Sequence, residues 1–224
     1  MKSFEEALRL DPNFPPTCFW MAWVNIMNVL YGSSATRGRS LEKAFEFAEK
    51  AKALDDKYWG ERSALGTAYL LKRDYDKALF EGKLSIELAP NSSGAATFYG
   101  WTLRSVGRYE EALKECERAL RIDPLNFYPM FHMGSTYFMM RRFDESIAVC
   151  KKALERNLRS VATHIVLAMA YSSLGKMEEA HEAASQVLKL NPNFSLEDFA
   201  KAQVNKDEED RVFGMDALRK AGLK

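Results

Sequence analysis

Cysteine is scarce in this chain, and the little there is excludes two classes of protein. Cys18, Cys116 and Cys150 are odd in number, far apart and free of any CxxC spacing. Neither a disulfide framework nor a zinc ribbon can be built from them, so they are expected to be reduced, small apolar residues. Histidine is equally sparse: His132, His164 and His181 are scattered, with no HExxH and no Cys/His pair at ligand spacing. No metal site is expected, and no cofactor. A phosphate loop and a GxSxG elbow are missing too. Carboxylates such as Glu110, Glu111, Glu178 and Glu179 fall where a helix begins, which the positive helix end explains better than acid–base chemistry. No catalytic residue is assigned, and the chain is read as non-enzymatic.

Long apolar runs are also absent. The most hydrophobic stretch, Cys18 to Tyr31, is too short to span a bilayer and contains Asn25 and Asn28. Glu5, Glu6 and Arg9 interrupt the opening segment where a secretory signal needs apolar residues. The expectation is a soluble, cytoplasmic chain with no membrane insertion. Net charge nearly vanishes as well, with 32 Lys+Arg against 31 Asp+Glu and a balance of +1. A general basic footprint for nucleic acid is thereby excluded.

What the chain has in abundance is self-similarity. The segments LGTAYLLKRDYDKALFEGKLSIELAP, YGWTLRSVGRYEEALKECERALRIDP and MGSTYFMMRRFDESIAVCKKALERNL lie one 34-residue period apart. With units starting at Pro15, Trp59, Ser93, Phe127 and Val161, the eighth position holds Ala22, Gly66, Gly100, Gly134 and Ala168. The twentieth holds Ala44, Ala78, Ala112, Ser146 and Ala180. Two helices of a hairpin approach closely only where neither carries bulk, so these positions predict their crossing. Met21, Leu65, Tyr99, Met133 and Leu167 sit beside the small residues and fill the space around them. Gly107 and Gly175 stand where a residue at positive φ ends the first helix, with Arg73 and Arg141 in the equivalent places of two other units. Pro90, Pro124 and Pro192 follow the second helix, which they cannot continue.

This pattern resembles the tetratricopeptide family along nearly the whole chain. The resemblance implies an all-α fold, a right-handed α-solenoid of antiparallel helix pairs, with each first helix (A) lining a concave face and each second helix (B) the convex one. The expected organisation is the second helix of a truncated repeat over 1–14, a first repeat with an extended loop over 15–58, and further repeats over 59–92, 93–126, 127–160 and 161–194. Capping helices are expected over 195–224. The opening SFEEALRLDPNF, a B helix without its A helix, reads as a chain cut from a longer protein. The segment SSATRGRS reads as a turn-rich connection with Arg37 and Arg39 solvated. Ser195 and Asp198 form a capping box, and Val212, Met215 and Leu218 mark the apolar face of a final helix from about Asp207.

On the family's plan, the concave face here carries Phe19, Trp23, Thr67, Trp101, Arg104, Phe131, Ser135, Phe138, Ile165 and Met169. Such a surface is apolar and aromatic, and suits an amphipathic helix laid into a groove. Trp23, Trp101, Phe131 and Phe138 are the expected anchors. The partner is expected to be a protein or peptide, with self-association as an alternative. A narrower likeness adds another: LYGSS, NPNFSLEDFAK and LRKAGLK are similar to the tetratricopeptide region that closes many bacterial multidomain signalling proteins, notably class III adenylate/guanylate cyclases. That resemblance implies a regulatory C-terminal region of a larger enzyme.

Overall fold

A computed structural model describes residues 6, 7, 9–11, 13–31 and 34–224. Half of the expected 1–14 segment lies outside these residues. Among the described residues there are helices and turns but no strand. Five antiparallel pairs run in chain order: α1 (Pro15–Tyr31) with α2 (Ser34–Leu54), α3 (Trp59–Leu71) with α4 (Tyr75–Leu88), α5 (Ser93–Ser105) with α6 (Tyr109–Ile122), α7 (Phe127–Met139) with α8 (Phe143–Arg156), and α9 (Val161–Ser173) with α10 (Met177–Leu190). Two helices follow, the short α11 (Leu196–Ala202) and α12 (Glu208–Lys220).

The small residues of the period set the pair geometry. A Cβ on Gly100 would lie 3.2 Å from the Ala112 carbonyl and 3.0 Å from Cys116 Sγ, so this crossing has no room for a side chain. Gly134 repeats the arrangement over Ser146 and Cys150. The two cysteines therefore have a packing role, each filling the space beneath the glycine of its own repeat. Burial pushes both thiols up to about 12, which removes them from thiolate chemistry. At the turn between helices of a pair, Gly107 and Gly175 take φ of 85° and 73°, while Arg73 and Arg141 are held at φ 60°. Arginine in that left-handed region is strained, since its Cβ crowds the following carbonyl.

Capping also keeps the period. Ser92, Asn126 and Ser160, each just before an A helix, accept hydrogen bonds from the backbone N–H of Ala95, Tyr128 and Thr163. These satisfy donors that the first turn leaves open.

The segment SSATRGRS is not a loop where it is described: α2 begins at Ser34 and runs through the rest of it. A single glycine in an exposed helix costs only about 1 kcal/mol, and Gly38 faces open space. Nor is Arg37 solvated, because its guanidinium donates to the Val29 carbonyl at 2.9 Å and to the Asp198 carbonyl at 3.5 Å. The second of these contacts joins the first helix pair to the C-terminal segment.

Candidate functional site

The A helices carry the aromatic side chains, and nearly all of those expected to line a groove are buried. Phe19, Trp23 and Trp101 share one apolar cluster with Ile26, Leu65 and Leu70. Phe138, Ile165 and Met169 belong to a second, with Phe131 packed against it. Within the first, Trp23 meets Phe98 at 4.5 Å between ring centroids. Trp101 stacks over His132 at 5.6 Å, and Phe131 closes on the same imidazole at 4.7 Å. Thr67 is buried and donates back to the Ser63 carbonyl within its own helix. Arg104 and Ser135 are buried too.

Over several of these residues lies the chain's own C-terminal segment, which crosses the A-helix face from the first repeat to the fifth. It begins with α11, which packs on α1. Val204 then enters the cluster of Phe19, Trp23 and Trp101. At the next step the Lys206 backbone N–H donates to the Ser105 carbonyl at 2.7 Å, across the groove and outside any helix. Asn205 is buried, with Nδ2 against Met139 Sδ at 3.7 Å. Asp207 caps α12 by accepting from the N–H groups of Glu209 and Asp210.

Further along, α12 presents Asp210 and Phe213 to the fourth repeat. Asp210 accepts a hydrogen bond from the Tyr109 hydroxyl and pairs with Arg141 Nη2 at 3.2 Å. Burial and the adjoining Asp210 push the Tyr109 phenol well above its usual range, so it remains a donor. The Phe213 ring sits 5.4 Å from Phe138 and 6.1 Å from Phe143, and the Arg141 guanidinium lies 3.7 Å above it. Gly214 lies against Met169. The segment ends in the second cluster, where Met215, Leu218 and Leu223 pack with α9 and α10.

Val212 differs from its expected inward place: it is 51% exposed. The buried residues of α12 are Gly214, Met215, Ala217 and Leu218, and Ala221 just past its end is buried too. Asp210, Phe213, Val204 and Asn205 are the site residues that sequence reasoning missed. Gly214, Ala217 and Ala221 were the available signal, being the same small-residue marks that fix each crossing in the repeats.

Two buried titratable groups make stability depend on pH in opposite senses. Glu61 is 1% exposed, its Oε2 has no hydrogen-bond partner, and burial raises its carboxyl from 4.5 to about 7. Its protonated form suits the fold, so stability is full below the unfolded value and falls as pH rises from about 4.5 to 7. Glu61→Gln should therefore gain about 1–3 kcal/mol at pH 8 and little at pH 4, measured by chemical denaturation. His132 is held well below its ordinary 6.5 by burial and by the Arg104 cation. Its contribution is present above pH 6.5 and is lost as acid drives protonation.

Among the described residues, no group of acidic, His and Cys side chains is arranged to hold a metal ion. Nor is any helix long and apolar enough to cross a membrane.

Three stretches match family models described as tetratricopeptide repeat: residues 95–126, 129–159 and 161–194. No curated protein sequence matches the chain. Among solved structures, a thermophilic TPR protein of Thermus thermophilus is similar at a TM-score of 0.64 and 20% identity, over 88% of this chain and 99% of that one. The type IV pilus biogenesis factor PilW gives 0.61 at 17% identity, over 89% and 90%. The pilF protein of Pseudomonas aeruginosa gives 0.58 at 17%, over 88% of each chain. Identities this low carry the fold and nothing finer. Residues 95–194 thus carry tetratricopeptide repeats, and the solved structures share the helical-repeat fold along most of the chain.

Proposed function

We propose that this chain is a non-enzymatic, cytoplasmic protein-interaction scaffold whose A-helix groove takes an amphipathic helical segment, with Trp23, Trp101, Phe131 and Phe138 as anchors. One observation carries the reading: the groove already holds such a segment, the chain's own residues 203–223, through ring contacts, one ion pair and one backbone hydrogen bond. An apolar groove of this extent needs a cover, and a cover made of the same chain is the simplest ligand it can have. A partner then binds by exchange, against a competitor whose effective concentration is on the order of mM.

Selection of displayed peptides on the full chain tests this reading. Peptides that occupy the groove should release the amide protons of α12 and Lys206 to exchange. If every selected peptide leaves that protection unchanged, binding takes place elsewhere and the groove reading fails.

The crossing segment also supports a second reading, self-association. Each surface it covers exists on a second copy, so exchange of residues 195–224 between two chains would form a swapped dimer without any new contact. Light scattering over a concentration series separates the two, since a strict monomer at high concentration removes the swap.

A further inference from the structure

The contacts of α12 define which helix the groove selects. Asp210 is held between the Tyr109 hydroxyl and Arg141, and Phe213, one turn later, lies between Phe138, Phe143 and the same guanidinium. Arg141 serves both side chains at once, from a backbone position where the equivalent residues of two other repeats are glycine. Its φ of 60° belongs to the turn, since Arg73 shares it in the second repeat; from that turn Arg141 delivers its guanidinium to α12. Beside Phe213 the fit is loose: a cleft of about 380 Å³ opens along α12, lined by Arg141, Phe143, Ser172, Ser173, Phe213 and Asp216 among others. The resident helix is thus fixed by one acid and one ring at this end, with space left along its flank.

We propose that the partner of this groove is a helical segment carrying a carboxylate one turn ahead of an aromatic ring, the pair presented by Asp210 and Phe213, and that it binds by replacing α12. The proposal rests on the groove reading above and adds the chemistry of the ligand. Charge complementarity supplies the argument. Arg141 pairs with a carboxylate and stacks on a ring in one pose, so a segment with the acid alone or the ring alone forfeits half of what the guanidinium offers. A basic residue in place of the acid would face Arg141 directly and be repelled.

The test uses the full chain with Asp210→Asn and Phe213→Ala, which weakens the resident helix and leaves the groove intact. The probe is a fluorescent synthetic peptide of residues 203–224. It should bind this variant at least tenfold more tightly than the wild-type chain, and a peptide bearing the same two substitutions should bind at least tenfold more weakly than the unsubstituted one. Equal binding of both peptides would overturn the acid-and-ring signature while leaving the groove reading standing. Failure of both to bind a variant whose Lys206 amide has been freed would overturn the two together. Loss of the circular dichroism signal in the variant would make α12 a fixed part of the core and overturn the exchange. Arg141→Gly gives an independent check, because glycine suits the backbone there. Exchange of the α12 amides should accelerate at least tenfold with α7 and α8 unchanged; unaltered α12 exchange would remove Arg141 from the recognition.

Discussion

A chain ending at Phe194 should show no cooperative thermal transition, or should aggregate on purification, although it keeps all five helix pairs. Removing residues 195–224 strips the cover from Trp23, Trp101, Phe138 and Met169 and takes away Leu196, Val204, Met215, Leu218 and Leu223, all of them buried. Each such side chain contributes about 1.5–3 kcal/mol when fully buried. Together they are comparable with the whole net stability of a domain, about 5–15 kcal/mol. A shortened chain that melts cooperatively within a few degrees of the full one would show that the C-terminal segment is a free arm.

Phe138→Ala should cost about 3–5 kcal/mol in urea or guanidinium denaturation, because Phe138 is 0% exposed and lies where repeat four, repeat five and α12 meet. Its ring packs on Phe143 and Phe213, so the cavity left behind opens to both the repeat and the tail. Tyr128→Ala is the control: Tyr128 stands on the same helix, 55% exposed, and its loss should stay within about 0.5 kcal/mol. Similar losses at the two positions would contradict the assignment of Phe138 to the junction.

The helix pairs were legible in the sequence because each repeat states the same local rule. Gly100 and Gly134 mark crossings, Gly107 and Gly175 mark turns, and a register fixed in one unit carries to the next. The caps Ser92, Asn126 and Ser160 obey the period too and were readable by the same means. The candidate site was legible only on one side. Positions on the A helices could be assigned to a face, but whether a face is open or filled depends on what crosses it, and the crossing segment does not repeat. With no register to copy, α12 was phased on its large residues, which turned Val212 inward. The face that α12 buries holds Gly214, Met215, Ala217 and Leu218 instead, with Val212 off it. Arg141 was visible as a departure from glycine, yet its purpose lies in Asp210 and Phe213, about 70 residues later.

Among the contacts by which the chain fills its own groove, one backbone hydrogen bond lies outside the helices' own ladders. Lys206 lies between α11 and α12, and its N–H has its partner across the groove, the Ser105 carbonyl at 2.7 Å. Amide hydrogen exchange of the full chain, followed residue by residue by NMR, reads that contact directly. Lys206 should exchange as slowly as the interior amides of α12. Exchange at the rate of an open coil, while the A helices remain protected, would contradict this.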